Sequence, residues 1–534
     1  MQTNINMRFL IAFLFVIALP VALHAQQSGA SAAYMSISRE HALKFGSLPM
    51  QSVSGRIQPV NTFSSEVLRK LHKSDKILDL DSDQFLLSLL CLPEMWMQIP
   101  LIICDNKDIT FNHDLTDGYC SYIEMFDSNG RYKLETELNE AFAKPVSTRS
   151  GYEKDLIKLD EQVNILHQLF DHRLIYLFPV KNDETHTWYA PGDELPETLA
   201  VNTDTIRGIM SDYCSAVINS IQTGNWETAD EALKHISEWQ ATNNTLPDIN
   251  RTRIKAEVIY NKTNLLKFCR KIYLIIGASL LVIAFMMLFS NHKKLGWLGK
   301  VLIIHLVVVM VFHFVVILLR WYIAGYAPWS NSYETMVLLS FLCIFAGMLF
   351  ARRSIITLAL SSLLAGVILF VSSLNWMNPQ ITPLVPVLKS PWLMIHVALI
   401  MVAYGFFGIS CLLGLTNIIM MKLKSVPATV GVRIRELTII NEMSLLAGLA
   451  FLTAGVFVGA IWANESWGRY WGWDPKETWA LITIIVYAVV THLRMVKKWF
   501  TPFRFNLISV IAFMCVLMTY FGVNYLLSGM HSYN

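Results

Sequence analysis

The sequence predicts an all-α polytopic membrane bundle of about eight spans, preceded by a mainly helical, exported soluble domain. Three observations carry this. Mean hydropathy is +0.43 and 54% of the 534 residues are hydrophobic, which excludes an ordinary soluble protein and calls for several membrane spans. The charge is divided: residues 26–265 hold 34 of the 40 acidic side chains with 22 basic ones, while residues 266–534 hold 6 acidic and 20 basic ones. The long apolar segments all fall in the basic part. The net charge of +3 thus conceals an acidic domain joined to a basic one, and membrane topology explains the basic charge better than nucleic-acid binding does.

Residues 1–25 read as a signal peptide: Arg8, an apolar run over 9–19, then Leu23-His-Ala25 as a cleavage site. An uncleaved anchor is the alternative, and either one exports the segment beyond it. Residues 26–265 form the soluble domain. Apolar residues at helical spacing predict helices over 152–173 (Leu156, Leu159, Val163, Leu166, Phe170) and 226–240 (Trp226, Ala229, Leu233, Ile236, Trp239). The stretch 55–61 reads as a turn entering a helix through Val67 and Leu71, and 86–103 as core strand or helix. His113, His167, His172, His186 and His235 are dispersed, and the domain carries no catalytic constellation; a scaffold or partner-contact role fits it.

Residues 251–270 read as a helix running into the first span. The spans are 272–289, 300–319, 334–350, 355–372, 392–420, 438–461, 479–496 and 506–526. With the soluble domain outside, the loops after the first, third, fifth and seventh spans are inside. These inner loops collect most of the lysines and arginines, the positive-inside bias; Lys267, Arg270 and Lys271 break it at the first span, where a long exported domain overrides local charge. This orientation puts 462–479 outside. That loop contains Trp467-Gly-Arg-Tyr-Trp-Gly-Trp-Asp-Pro-Lys-Glu-Thr-Trp479, with Trp467, Trp471, Trp473 and Trp479 interleaved with charges. An interfacial aromatic belt spreads such residues over many helix ends. Concentrating them with two glycines and a proline builds a flat aromatic shelf, suited to a planar anionic ligand. Asp474 and Glu477 suit orienting the loop, and Arg469 or Lys476 suits gripping a carboxylate.

Four histidines fall at defined depths. His396 begins the fifth span near the outer face, and His531 follows the last span on the same face. Two imidazoles on opposite sides of a porphyrin supply both axial iron ligands; each alone reads equally as a hydrogen-bonded interfacial histidine. His492 lies ~20 Å into its span at 1.5 Å per residue, and ionisable groups at such depth are functional suspects. On the second span, His305 is ~22 Å and His313 ~10 Å from the outer face by the same count. Depth alone therefore matches His305 to His492 as a second, inner iron pair, with hydrogen bonding to a neighbouring helix as the alternative.

The eight cysteines show no C-x-x-C spacing and no C-x-x-C-H, so neither a vicinal thiol-redox motif nor a covalently attached c-type haem is supported. Cys343, Cys411 and Cys515 read as small core residues. Cys91, Cys104 and Cys120 suit a disulfide in an oxidising compartment, with the pairing open.

The 467–479 stretch resembles the tryptophan-rich WWD signature of haem-handling proteins. Arg320-Trp-Tyr-Ile-Ala-Gly-Tyr-Ala-Pro-Trp-Ser-Asn-Ser-Tyr-Glu334 is similar to a motif of the CcsA (ResC) family of system II cytochrome c biogenesis, as are Pro391-Trp-Leu-Met-Ile-His396, residues 487–494 and Gly529-Met-His-Ser-Tyr533. The resemblance covers roughly 295–533. It implies haem b as substrate, exported and attached to the C-x-x-C-H motif of apocytochrome c by a holocytochrome c synthase (haem lyase) of which this chain is a component, with a CcsB/ResB-type membrane partner. It implies a bacterial cytoplasmic (inner) membrane location, with the soluble domain and WWD loop periplasmic. It further implies outer haem ligands at His396 and His531 and a transmembrane ligand at His492. His305 is not part of that transfer, because the family's second transmembrane histidine commonly comes from the CcsB portion, whose four-span pattern is absent from residues 1–295. Tyr326 stands where the family often has histidine, and residues 26–265 read as a lineage-specific addition. Two other classes remain to be distinguished: a di-haem membrane quinone oxidoreductase subunit and a haem-independent exporter.

Overall fold

The computed structural model describes residues 37–196, 199, 201–244, 250–289, 293–374, 377–384, 386–423, 428–496 and 498–526. The signal-peptide reading at 1–25 and the ligand reading at His531 lie outside the described residues.

The first part of the chain is mainly helical. Its principal helices are α1 (Arg39–Gly46), α2 (Val60–His72), α3 (Ser82–Cys91), α4 (Gly151–Phe170), α5 (Thr203–Thr223), α6 (Glu227–Asn243) and α7 (Arg251–Thr263). Four two-stranded antiparallel sheets connect them: β1/β2 (Pro49–Gln51, Ile57–Pro59), β3/β4 (Lys76–Ile77, Leu80–Asp81), β5/β6 (Ile102–Cys104, Gly118–Cys120) and β7/β8 (Phe178–Pro179, Trp188–Tyr189). The helix predicted over 152–173 is α4. It begins where Ser150 and Glu153 form a reciprocal cap, and it buries Leu156, Leu159, Val163 and Leu166. The helix predicted over 226–240 is α6, with Ala229, Leu233 and Ile236 inward. The 55–61 turn is the β1/β2 hairpin, whose tip needs Gly55 at φ +82°. The ambiguous 86–103 stretch divides into the end of α3, a short helix Pro93–Trp96 and the strand β5. One apolar core, running from Ile37 to Ile236, collects these faces.

The predicted continuous helix over 251–270 is broken. Asn264 adopts φ +47°, ending α7, and a new helix, Leu265–Phe289, forms the first span. Asparagine is among the few residues that tolerate this conformation. The break lets α7 lie against β2, α2 and the second span instead of continuing along the first. Glu257 on α7, 1% exposed, pairs with Arg56 at 2.5 Å and accepts from Thr62 Oγ1 at 2.7 Å. Arg56 also donates to the Ile381 carbonyl at 3.2 Å. Arg56, held by this buried ion pair, thus fastens the first part of the chain to the loop after the fourth span.

Among the described residues, eight helices are long and apolar enough to cross a membrane: Leu265–Met287, Gly296–Ala324, Ser332–Leu349, Ile355–Ser372, Pro391–Lys422, Thr429–Trp467, Pro475–Met495 and Pro502–Gly522. The first packs on the fourth, with the second beside the first and the third beside the fourth. The fifth and sixth pack along their length, the eighth lies against the fifth, and the seventh against the sixth and eighth. The third and fourth spans join the two groups through the fifth.

Between spans five, six and eight lies a buried amide cluster. Asn441 donates to Asn506 Oδ1 at 2.9 Å and to Ser509 at 3.0 Å; Asn417 donates to Asn506 Oδ1 at 3.0 Å and to Thr438 at 3.1 Å. In hydrocarbon such groups find partners only in one another, so they set which helices pack together.

Candidate functional site

The WWD loop is built by two helix ends. The sixth span runs to Trp467, and Gly468 at φ +72° turns the chain away. The seventh span starts at Pro475, because Asp474 and Glu477 form a reciprocal cap. Asp474 accepts from the Lys476 amide at 3.2 Å, and Glu477 accepts from the Asp474 amide at 3.2 Å and the Gly472 amide at 2.7 Å. Both acids therefore orient the loop, and Asp474 is 5% exposed. Trp471 and Trp473 meet edge to face with centroids 6.0 Å apart, Trp467 meets the buried Trp462 the same way at 4.8 Å, and Trp479 lies half-buried on the first turn of the seventh span. Trp473 is 71% exposed and Tyr470 is 62% exposed, so the loop offers bare aromatic surface. Arg469 is exposed and folds over Gly472, where a Cβ would come within 2.8 Å of its guanidinium carbon.

His396 lies near the start of the fifth span, which is tied to the end of the sixth by Ser390 Oγ donating to Glu465 at 3.1 Å. Its Nδ1 is 2.7 Å from the Gly455 carbonyl. A carbonyl only accepts, so the ring proton is on Nδ1 and the lone pair on Nε2, the orientation a metal-ligating histidine needs. Gly459 makes room for the ring; a Cβ there would be 2.6 Å from Nδ1. Neither glycine stood out as a site residue in the sequence, although their Gly-x-x-x-Gly spacing is a signal of close helix approach.

His492 and His305 share that ring orientation. Each directs Nδ1 at the carbonyl one turn back, 2.8 Å from Ala488 and Val301 respectively, and each is exposed on the outside of the bundle. The structure does not bring them together. The second span packs on the first, the third and α7, the seventh on the sixth and eighth. Matched depth fixes height along the bundle and says nothing about position around it. The seventh span also begins earlier than predicted, at Pro475, and its α-helical part ends at His492, roughly 26 Å along the axis. His313 differs: it is 0% exposed, its Nδ1 meets the Tyr273 hydroxyl at 3.2 Å, and Phe341 closes over it edge-on.

The Arg320…Glu334 stretch is a clamp. Arg320 binds Glu334 through Nε at 3.0 Å and Nη2 at 2.9 Å, and donates to the Pro379 and Gln380 carbonyls at 3.0 and 3.1 Å. The two side chains are 2% and 0% exposed. Tyr326 donates to the Thr382 carbonyl at 2.7 Å, and burial pushes its phenol up to about 12, so it remains a neutral donor. A cavity of about 760 Å³ opens beside this clamp, lined by Arg56, Arg253, Trp321, Tyr326, Lys389 and Met394. Met394 and His396 are two positions apart, about 200° around a helix, so the cavity is not the surface that His396 faces.

The profile described as cytochrome c assembly protein matches residues 329–531, spanning the WWD loop and both flanking helices. CcsA of Guillardia theta, a cytochrome c biogenesis protein, is 35% identical over 239 residues, which are 40% of this chain and 79% of that protein. This chain belongs to the CcsA family. CcsA of a Synechococcus species is 34% identical over 247 residues, covering 81% of its length. The protein NrfI of Wolinella succinogenes is 36% identical over 510 residues, 93% of this chain and 55% of NrfI. The chain thus spans about half the length of that relative. The NrfI match also takes in most of residues 26–265, so NrfI shares that region, whereas the two CcsA matches cover only 40–41% of this chain.

Proposed function

We propose that this CcsA-family chain presents haem b on the outer face of a bacterial cytoplasmic membrane and holds it for covalent attachment to apocytochrome c, as part of a holocytochrome c synthase with a CcsB/ResB-type partner. The observation that carries the reading is His396: its proton is committed to the Gly455 carbonyl, its lone pair is on Nε2, and it stands one helix away from the exposed Trp loop. Haem reaches His492 from the inner side. The second imidazole there comes from the partner, since His492 faces outward where a further helix can pack. Haem then passes to His396 and His531. The exposed indoles cover the apolar porphyrin edge, and Arg469 or Lys476 pairs with a propionate. Attachment adds each apocytochrome thiol across a vinyl group, so the protein's contribution is holding the reacting atoms in register.

To test this, the chain is purified from a haem-producing host and spectra of His396→Gly and His531→Gly are recorded. Loss of haem or of bis-histidine ligation, restored by added imidazole, supports the outer site; unchanged loading and ligation in both variants removes it. Rapid quinol-dependent haem reduction would instead mark a di-haem oxidoreductase, and absence of haem from protein made in a haem-replete host would mark a haem-independent exporter.

A further inference from the structure

The region preceding the spans holds Cys91, Cys104, Cys120 and Cys214, which no feature of the haem site uses. Folding sorts them into two pairs. In the β5/β6 ladder, Ile102 stands opposite Cys120 and Cys104 opposite Gly118, so Cys104 and Cys120 point to the same face as diagonal neighbours. Their thiols are near enough to shift one another, Cys104 downward and Cys120 upward. Cys91 is the last residue of α3, and Cys214 lies in the middle of α5, which packs against α3. These two thiols shift one another, Cys91 upward and Cys214 downward. His172 completes this second cluster: its Nε2 is 2.9 Å from the Leu90 carbonyl, and Cys214 Sγ is 4.0 Å from the same oxygen. All four sulfur-bearing residues are buried. Among the described residues, no group of three His, Cys, Asp or Glu side chains could hold a metal ion, so ligation does not account for the pairing.

We propose that Cys91–Cys214 and Cys104–Cys120 are disulfides in the native protein. The proposal rests on the reading that this region lies outside the cytoplasmic membrane, where thiols are oxidised. Each bond forms by exchange with a small-molecule or protein disulfide. One cysteine thiolate attacks a sulfur of the oxidant and expels its first thiol. The second cysteine then attacks the mixed disulfide and expels the other. Two protein thiols lose two electrons and two protons, and the oxidant's disulfide becomes two thiols. Cys214 is the attacking thiol of its pair: the neighbouring Cys91 thiol and the adjoining His172 imidazole lower it to about 6, and its proton ends on the thiolate expelled from the oxidant. In the hairpin pair Cys104 attacks, its thiol held low by the neighbouring Cys120 thiol. The two bonds do different work. Cys91–Cys214 fastens α3 to α5 across 123 positions of chain, while Cys104–Cys120 closes a hairpin across 16, and the longer loop constrains the unfolded chain more.

The experiment uses the full chain in its membrane. Intact cells are precipitated in acid and dissolved in denaturant containing N-ethylmaleimide, so that buried free thiols take the first label; the protein is then reduced, and newly exposed thiols take a second alkylating reagent before mass spectrometry. The expected result is the second label on Cys91, Cys104, Cys120 and Cys214, with unreduced digests containing linked 91/214 and 104/120 peptides. Cys91→Ser should move Cys214 alone to the first label, and Cys104→Ser should move Cys120 alone. First label on all four in the wild type, or linked peptides with other partners, overturns the proposal. Oxidised glutathione added to the purified chain then separates the causes. Formation of the two cross-links only in vitro means that the pairing is right and the external placement is wrong. Failure to form them even in vitro means that the pairing is wrong, whatever side the region occupies.

Discussion

Substituting Gly459 by alanine should disable the proposed outer haem site without replacing a proposed ligand. The added Cβ would lie 2.6 Å from His396 Nδ1 and 2.7 Å from Cε1. Comfortable contact begins near 3.5 Å, so the ring must retreat by about 1 Å. The 2.7 Å bond from Nδ1 to the Gly455 carbonyl then stretches past hydrogen-bonding range. Losing that bond costs about 1 kcal/mol, and overpacking a tight helix contact about 1–3 kcal/mol. For the iron the larger effect is orientation: losing an outer partner of a metal-ligating histidine typically weakens the metal by roughly 10–100-fold. The assay is haem per protein after purification from a haem-producing host, with spectra reporting axial ligation and added imidazole as rescue. Gly431→Ala, where a Cβ would meet nothing within 4 Å, is the control. If Gly459→Ala retains wild-type loading and spectra while the control behaves normally, the Gly455 carbonyl and the Gly459 gap do not hold His396 for iron.

Three further outcomes rest on the same geometry. Glu334→Gln leaves the buried Arg320 guanidinium without its counter-charge and should destabilise the bundle by about 3–5 kcal/mol, whereas removing both charges together with apolar residues of similar volume should recover much of the loss; melting in detergent distinguishes the two. Asp474→Ala removes the cap of the seventh span, costing about 0.5–2 kcal/mol, and should appear as faster hydrogen exchange confined to residues 467–478. Acidification should loosen the contact of α1 with α5 and α6. Burial outweighs the Asp230 carboxylate and holds His41 below its ordinary value, so beneath about pH 6.5 the unfolded chain binds a proton the folded one refuses and stability falls with pH. His72, lowered by burial, adds to the slope; His172, whose burial is outweighed by the Cys214 thiol beside it, opposes it. His41→Gln should flatten the pH dependence of exchange at α1, and an unchanged slope would refute the assignment.

Much of this architecture was legible one segment at a time. The eight apolar runs, the polarity change near residue 265 and the helical spacing of Leu156, Leu159, Val163 and Leu166 each depend on local periodicity, which a helix converts directly into a buried face. The WWD loop was readable for the same reason, since Asp474-Pro-Lys-Glu477 carries its own cap in consecutive residues. Residue count along a span likewise determines height, because every residue rises 1.5 Å. Position around the bundle has no such rule. It is decided where side chains from distant segments interlock: Asn441 on Asn506, Arg320 on Glu334, His396 against Gly459. That is why depth matched His305 to His492 while packing put them on helices that do not adjoin. The same cause ended α7 at Asn264, where a local pattern favoured one long helix, and packed α3, which ends at Cys91, against α5, which carries Cys214. The sequence alone determined the eight apolar helices and the helical faces over 152–173 and 226–240; only tertiary packing decided which residues meet, because a contact between remote segments is a property of both together.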